Sequence, residues 1–151
     1  FGLAFAKAQL AAGQVLPVSG KVFASVKDED KNAFLKTATL FHSLGFKIMS
    51  TRGTSAFLSK YDIPNECVNK VSEGRPHIVD MIKNGEIDLV VNTTSTKKTV
   101  SESYSIRRTA LTWNIPCITT LAGAKATALA IKSMMEGALE IKTLQEYHQQ
   151  N

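Results

Sequence analysis

The chain has 151 residues with a formal net charge of +5, and 44% of them are hydrophobic while 21% are charged. This is the composition of one globular domain with a full hydrophobic core, and it excludes disordered and fibrous proteins. No apolar run approaches the roughly 20 residues of a membrane helix, so we expect no membrane contact. The basic residues are scattered rather than gathered into one stripe, which favours small anionic ligands and argues against nucleic acid.

Strand and helix patterns alternate along most of the chain, which predicts an α/β fold with a parallel sheet. The segment 87–92 (IDLVVN) is the clearest strand, because it is continuous, β-branched and bounded by turn residues. We predict a single doubly wound sheet of mainly five parallel strands with helices on both faces. The five strands are predicted at 21–26, 46–50, 66–68, 87–92 and 116–120.

Helices are predicted between these strands. The first follows the acidic residues 28–30, which favour a helix N-terminus, and Gly45 ends it. Further helices are predicted at 53–61, 76–83, 103–113 and 122–135, with a short terminal helix at 143–150. Residues 1–18 lie outside the alternating pattern. We interpret them as a connector from an upstream module, which leaves 19–151 as the domain.

The two cysteines follow no metal-binding or redox spacing. Cys67 and Cys117 both lie in apolar, strand-like runs, so we predict buried free thiols in a reducing compartment, the cytoplasm. We expect no metal site in this chain.

Three polar segments follow predicted strands, and ligands of an open parallel sheet bind beyond the carboxyl ends of its strands. The segments are 51–54 (TRGT), 92–95 (NTTS) and the pair Asn69-Lys70. Glycine, hydroxyl groups, a lysine and helix N-termini are all suited to a phosphate. Lys31 joins them if the first helix begins at the same edge. Each segment also has a plainer interpretation: a tight turn, an N-cap cluster and a solvated surface lysine.

Catalytic motifs are absent from the sequence. It contains no G-x-S-x-G, H-E-x-x-H or GxxxxGK[ST] pattern, and its aspartates are dispersed. We therefore predict no catalytic residues and no catalysis by this chain alone.

Long stretches resemble the methylglyoxal-synthase-like domain at the end of carbamoyl phosphate synthetase large subunits. They are FAKAQLAAG, SVKDEDK, TRGTSAFL, VNKVSEGRPHIVDMIKNGEIDLVVNTTS, SIRRTAL and TTLAGAKATALAI, which together run from about residue 5 to residue 131. The resemblance implies the methylglyoxal-synthase-like fold and an allosteric domain that binds UMP as an inhibitor and IMP as an activator. Carried over by position, it implies a set of phosphate-binding residues: Lys31, Thr51, Thr54, Lys70, Asn92, Thr93 and Thr94. Lys97, Lys98 and Ser103 are implied on the base or ribose side.

The resemblance also implies a larger enzyme. This would be an ATP- and glutamine-dependent ligase that supplies pyrimidine and arginine biosynthesis. Its synthetase modules would hold ATP, Mg and K, and a glutaminase small subunit would bind it. No cofactor is implied for the domain itself. We expect residues 1–18, with Phe5 and Leu10, to contact the upstream module.

The chain departs from the family in one segment. Enteric members bind ornithine through a Tyr-Asp-Thr run, which here reads Cys117-Ile118-Thr119, so no carboxylate is present for the amino group. The intact phosphate set also argues against N-acetylglutamate, the ligand of animal mitochondrial relatives.

Two enzymes and a generic nucleotide-binding module are the alternatives. Methylglyoxal synthase, a lyase, needs a catalytic aspartate in a glycine-rich segment, which here reads EGRPHI (73–78). The lysine-containing loops of inosine-monophosphate cyclohydrolase are not evident.

Overall fold

The sheet has five strands, all parallel, in the order β3-β2-β1-β4-β5. A computed structural model describes residues 1–93 and 97–148, and the side chains of 1–93 and 100–137. The predicted α/β fold is confirmed, including its five parallel strands. The strands are β1 (Lys21–Ser25), β2 (Lys47–Ser50), β3 (Glu66–Cys67), β4 (Leu89–Asn92) and β5 (Cys117–Ile118).

Six α-helices accompany the strands within the described residues. Two 3-10 turns precede helices, one at Asp28–Asp30 and one at Val71–Glu73. Gly45 follows the second helix with a φ of +91°, a conformation that favours glycine, which confirms it as the residue that ends this helix. The helices are α1 (Gly2–Ala11), α2 (Lys31–Ser43), α3 (Arg52–Lys60), α4 (Ile78–Lys83), α5 (Lys97–Thr112) and α6 (Leu121–His148).

Each face of the sheet has its own hydrophobic cluster, because successive side chains of a strand point to opposite faces. In β1, Val22 and Ala24 join the larger cluster, while Phe23 joins the smaller one. The larger cluster includes side chains of α2, α3 and α6. The smaller cluster includes those of α4 and α5. Helices therefore cover both faces, as the sequence predicts.

The N-terminal segment packs on the last helix. Gly2 lies against the α6 backbone, where an added Cβ would be 2.8 Å from the Leu129 carbonyl oxygen. Phe5 is half-buried against the larger cluster, and Leu16 is a buried member of it. In contrast, Phe1, Leu3 and Leu10 are exposed. Residues 1–18 thus contribute to the core and also present apolar side chains outward.

Three helix boundaries differ from the predictions. Pro76 was expected near the start of a helix, but α4 begins only at Ile78, because the buried His77 is its N-cap and accepts a hydrogen bond from the Asp80 backbone N–H. Helix α5 starts at Lys97, six residues before the predicted start. Helix α6 continues to His148, so the predicted separate helix at 143–150 is wrong for its described residues.

The cysteines are free, but Cys67 is exposed and the prediction of a buried thiol is wrong there. The reason is that β3 is a two-residue strand at the edge of the sheet. Cys117 in β5 is half-buried, and this burial raises the pKa of its thiol, an effect that the nearby Arg107 guanidinium partly offsets.

Within the described part of the chain, no helix is both long enough and apolar enough to cross a bilayer. Nor do its His, Cys, Asp and Glu side chains gather in threes or more around a point where a metal ion would fit.

Candidate effector site

A polar cavity lies at the carboxyl ends of the strands, where the strand order reverses. Strand β1 pairs with β2 on one side and with β4 on the other, so the connections leave in opposite directions and open a crevice. The cavity has a volume of about 220 Å³. Its lining comes from the ends of β1, β2 and β4, from the turns before α2 and α4, and from α5. The lining residues are Ser25, Val26, Lys27, Asp28, Lys31, Thr51, Gly53, Thr54, Lys70, Val71, Thr93, Glu102, Ser103 and Ile106.

Two threonine hydroxyls fix the turn that follows β1. The Val26 backbone N–H donates to Thr54 Oγ1 at 3.1 Å, and the Lys27 backbone N–H donates to Thr93 Oγ1 at 3.0 Å. Thr54 comes from the first turn of α3, while Thr93 directly follows β4. Thr54 Oγ1 in turn donates to the Val26 carbonyl oxygen at 3.5 Å. The cavity floor is therefore held from the segments that follow both neighbouring strands.

The N-terminus of α3 faces the same cavity. Thr51 is its N-cap, with extended backbone, and its side chain makes no capping hydrogen bond to the helix. Instead, Thr51 Oγ1 donates to Thr54 Oγ1 at 3.3 Å. The first backbone N–H groups of a helix have no intrahelical partner, and together with the helix dipole they attract anions.

Asn92, the last residue of β4, is fully buried. Its Oδ1 accepts a hydrogen bond from Ser103 Oγ at 3.2 Å, and its carbonyl oxygen accepts one from Arg107 Nη2 at 3.1 Å. Its Nδ2 is buried without a hydrogen-bond partner among the described residues. An unsatisfied buried donor costs about 1–3 kcal/mol, and this amide lies beside Ser103, which lines the cavity, although Asn92 itself does not.

Three lysines, Lys27, Lys31 and Lys70, line the cavity, and each is paired with a carboxylate, Lys27 with Asp30 at 3.8 Å. Lys31 Nζ lies 2.5 Å from Asp28 Oδ1, and this hydrogen bond and ion pair lower the pKa of Asp28. Lys70 Nζ lies 3.4 Å from Glu102 Oε2 on α5. The site therefore carries both cations and their own counterions.

The structure brings together most of the residues implied by the resemblance. Lys31, Thr51, Thr54, Lys70, Thr93 and Ser103 line the one cavity, and Asn92 lies buried beside Ser103. Thr94 falls outside the described residues. Lys97 and Lys98 lie in the first turn of α5, and their side chains are outside the description.

Sequence reasoning missed several residues of the cavity wall. Asp28 and Glu102 are the important omissions, because Asp28 pairs with Lys31 and Glu102 pairs with Lys70. Asp28 falls in the acidic run read only as a helix-start signal, and Glu102 has no local signal at all. The apolar part of the lining, Val26, Val71 and Ile106, was also missed.

Two segments weighed in the sequence lie away from this lining. Cys117 and Ile118 form β5, which is the edge strand beyond β4, and neither lines the cavity. Residues 73–78 do not line it either.

The family follows from comparison with known proteins. Residues 33–119 match the model of the MGS-like domain, and the chain belongs to this family. It is 50% identical over 147 residues, 97% of this chain, to the carbamoyl phosphate synthase large chain of Nostoc sp.. The corresponding proteins of Rhizobium meliloti and Archaeoglobus fulgidus are 49% and 46% identical over 97% and 100% of this chain. The chain spans only 13% to 14% of the length of these relatives. The resemblance inferred from the sequence motifs is thereby confirmed.

Proposed function

We propose that this chain is the allosteric domain of a carbamoyl phosphate synthase large chain and that its cavity binds nucleoside monophosphates of the UMP and IMP type. One observation carries the proposal: three lysines, three threonine hydroxyls and a helix N-terminus converge on one cavity at the strand-order reversal. A phosphate monoester needs both charge and directed donors, and this set supplies both.

The phosphate is assigned to the side of the cavity formed by Lys31, Lys70 and the N-terminus of α3. Lysine ammonium groups act as point charges, whereas the threonine hydroxyls and backbone N–H groups give direction. The nucleoside is assigned to the side lined by Val71, Ile106 and Ser103, where apolar surface meets a hydroxyl.

Calorimetric titration of the chain with UMP, IMP and ornithine tests the proposal. We expect UMP and IMP to bind and ornithine to give no heat. Lys70→Ala should weaken nucleotide binding about 10- to 100-fold, the value of one hydrogen bond to a charged group. Lys83→Ala is the matched control, because Lys83 is exposed in the last turn of α4 and lies outside the cavity. Absence of UMP and IMP binding, or equal losses in both variants, would reject the assignment.

In the whole enzyme, the nucleotide would act by population shift: it binds one arrangement of this domain against the synthetase module more tightly than another. The proposal makes this enzyme a ligase that forms carbamoyl phosphate. The exposed apolar side chains of residues 1–18 are assigned to the contact between the two modules.

The coupling can be tested in the full-length enzyme with Leu3→Ala and Leu10→Ala together. Both side chains are more than half exposed, so their removal should spare the fold of the domain, whereas Phe5 also packs on its core. We expect nucleotide control of carbamoyl phosphate formation to weaken while nucleotide affinity stays unchanged. Leu111→Ala, an exposed leucine of α5, is the control. If UMP and IMP still regulate the double variant as they do the wild-type enzyme, another surface must carry the coupling.

A further inference from the structure

Two of the partners that hold the Glu102 carboxylate at the cavity wall come from the turn before α4. Its Oε2 lies 3.4 Å from Lys70 Nζ, and its Oε1 accepts a hydrogen bond from Ser72 Oγ at 2.9 Å. The two charged side chains are only 33% and 21% exposed. Both oxygens of the carboxylate are thus engaged, and the Lys70 ammonium is directed at Glu102.

This pairing conflicts with the use of Lys70 as a phosphate ligand. A phosphate that contacts the ammonium has to replace the carboxylate or lie within a few ångströms of it. Like charges at that separation repel each other, and the repulsion is stronger at a partly buried position than in bulk water. Binding therefore includes the loss of the Lys70–Glu102 ion pair.

We propose that Glu102 is an affinity-determining residue of the effector site: it is an internal competitor that occupies Lys70 and gives it up to the phosphate of the ligand. This inference rests on the proposed function. It explains why a cavity lined by three lysines also carries a carboxylate beside each of them. Competition of this kind lowers the affinity of the site for every ligand with a phosphate. Inorganic phosphate lacks the contacts of a base and ribose, so it should bind most weakly.

The second pair of the cavity gives an internal comparison. Asp28 pairs with Lys31, but the Asp28 side chain is 90% exposed, so water screens its charge far more than that of Glu102. Asp28 should therefore compete less. Glu29 provides a control without competition, because it is an exposed acid of the same 3-10 turn that does not line the cavity.

The test is calorimetric titration of the chain with UMP and, separately, with inorganic phosphate at low salt. Glu102→Gln keeps the shape of the side chain and an acceptor for Ser72, so the fold should be retained, which thermal unfolding checks. We expect Glu102→Gln to bind UMP about three- to tenfold more tightly, the release of one partly screened ion pair. Asp28→Asn should gain less than about twofold and Glu29→Gln nothing.

A double variant separates competition for the lysine from a general change of charge. In the Lys70→Ala background, Glu102→Gln should lose most of its gain, since no ammonium is left to release. A purely structural role of Glu102 would not show this dependence on Lys70.

A gain that depends on Lys70 supports the inference. An equal gain with and without Lys70, or unchanged or weaker binding by Glu102→Gln, overturns it and leaves the proposed function standing. If neither the wild-type chain nor Glu102→Gln binds UMP, the proposed function fails and the inference fails with it.

Discussion

The two faces of the sheet differ in how much they bury, although the same five strands form both. The larger cluster holds three fully buried phenylalanines, Phe34, Phe41 and Phe46, and is covered by the long helix α6. The smaller cluster holds one, Phe23, and is covered by the six-residue α4 and by α5. Buried apolar area is the main stabilising term, so the first face should carry more of the stability.

The polar cavity that we propose as the effector site has one wall on each face. Lys31 begins α2 on the heavily packed face, whereas Glu102, Ser103 and Ile106 belong to α5 on the lightly packed one. Segments with fewer buried contacts open at lower free energy. From this comparison we expect α2 to be the more stable wall of the cavity and α5 the less stable one.

The largest expected effect is that of Phe41→Ala. The ring is fully buried and packs edge-to-face on Phe46 with a centroid distance of 5.9 Å. Its removal leaves a cavity that the rigid face cannot close, so we expect a loss of about 3–5 kcal/mol in the free energy of unfolding. Urea denaturation measures it. A loss below about 2 kcal/mol would contradict the rigidity of this face.

A matched pair of isoleucines compares the faces directly. Ile131 in α6 and Ile82 in α4 are both fully buried, one in each cluster. Substitution by alanine should cost about 2–5 kcal/mol at either position, with the greater loss at Ile131 because its surroundings collapse less. Chemical denaturation of both variants ranks them. An equal or greater loss for Ile82→Ala would contradict the statement that the face with the larger cluster carries more of the stability.

A smaller effect is expected for Thr93→Val, which keeps the shape of the side chain but removes the acceptor for the Lys27 backbone N–H. We expect a loss of about 1 kcal/mol in stability, together with weaker UMP binding. Thermal unfolding and calorimetry measure the two effects. Thr93→Ser retains the hydroxyl and should keep most of the stability and of the UMP affinity. If Thr93→Ser loses as much as Thr93→Val, the hydroxyl does not account for the two effects.

The smallest effect is expected for Leu111→Ala. Leu111 lies on the exposed side of α5 and is 76% accessible, so the stability should change by less than about 0.5 kcal/mol. Differential scanning calorimetry is sensitive enough to detect a larger change. A clear loss would show that α5 depends on packing beyond the smaller cluster.

The sequence predicted the sheet well because parallel strands buried on both faces form short apolar runs between helices. It predicted α5 poorly, because residues 97–102 contain a single apolar residue, Val100, and show no apolar periodicity from which a helix could be inferred. Residues 1–18 were interpreted as a connector, yet Leu16 is buried in the larger cluster. The cluster that buries it also contains side chains of α6, more than 100 residues later in the sequence, and no local pattern encodes this.

The convergence of the polar segments on one cavity was predictable for a related reason: strand ends meet at one edge, so residues that follow different strands lie close together there. Glu102 was not predictable. A glutamate in a polar stretch of helix is typical of a solvated surface, and only the three-dimensional packing of α5 on the turn before α4 brings it to Lys70.

The central position of β1 has a consequence for synthesis of the protein. Its first residue, Lys21, donates its backbone N–H to Asp88, 67 residues later, so one edge of β1 finds its partner only when β4 has been made. At about 5–20 residues per second, the ribosome needs several seconds to supply it. During that time the β1–β2 pair presents an unpaired apolar edge, the kind of surface to which chaperones bind and from which aggregation begins.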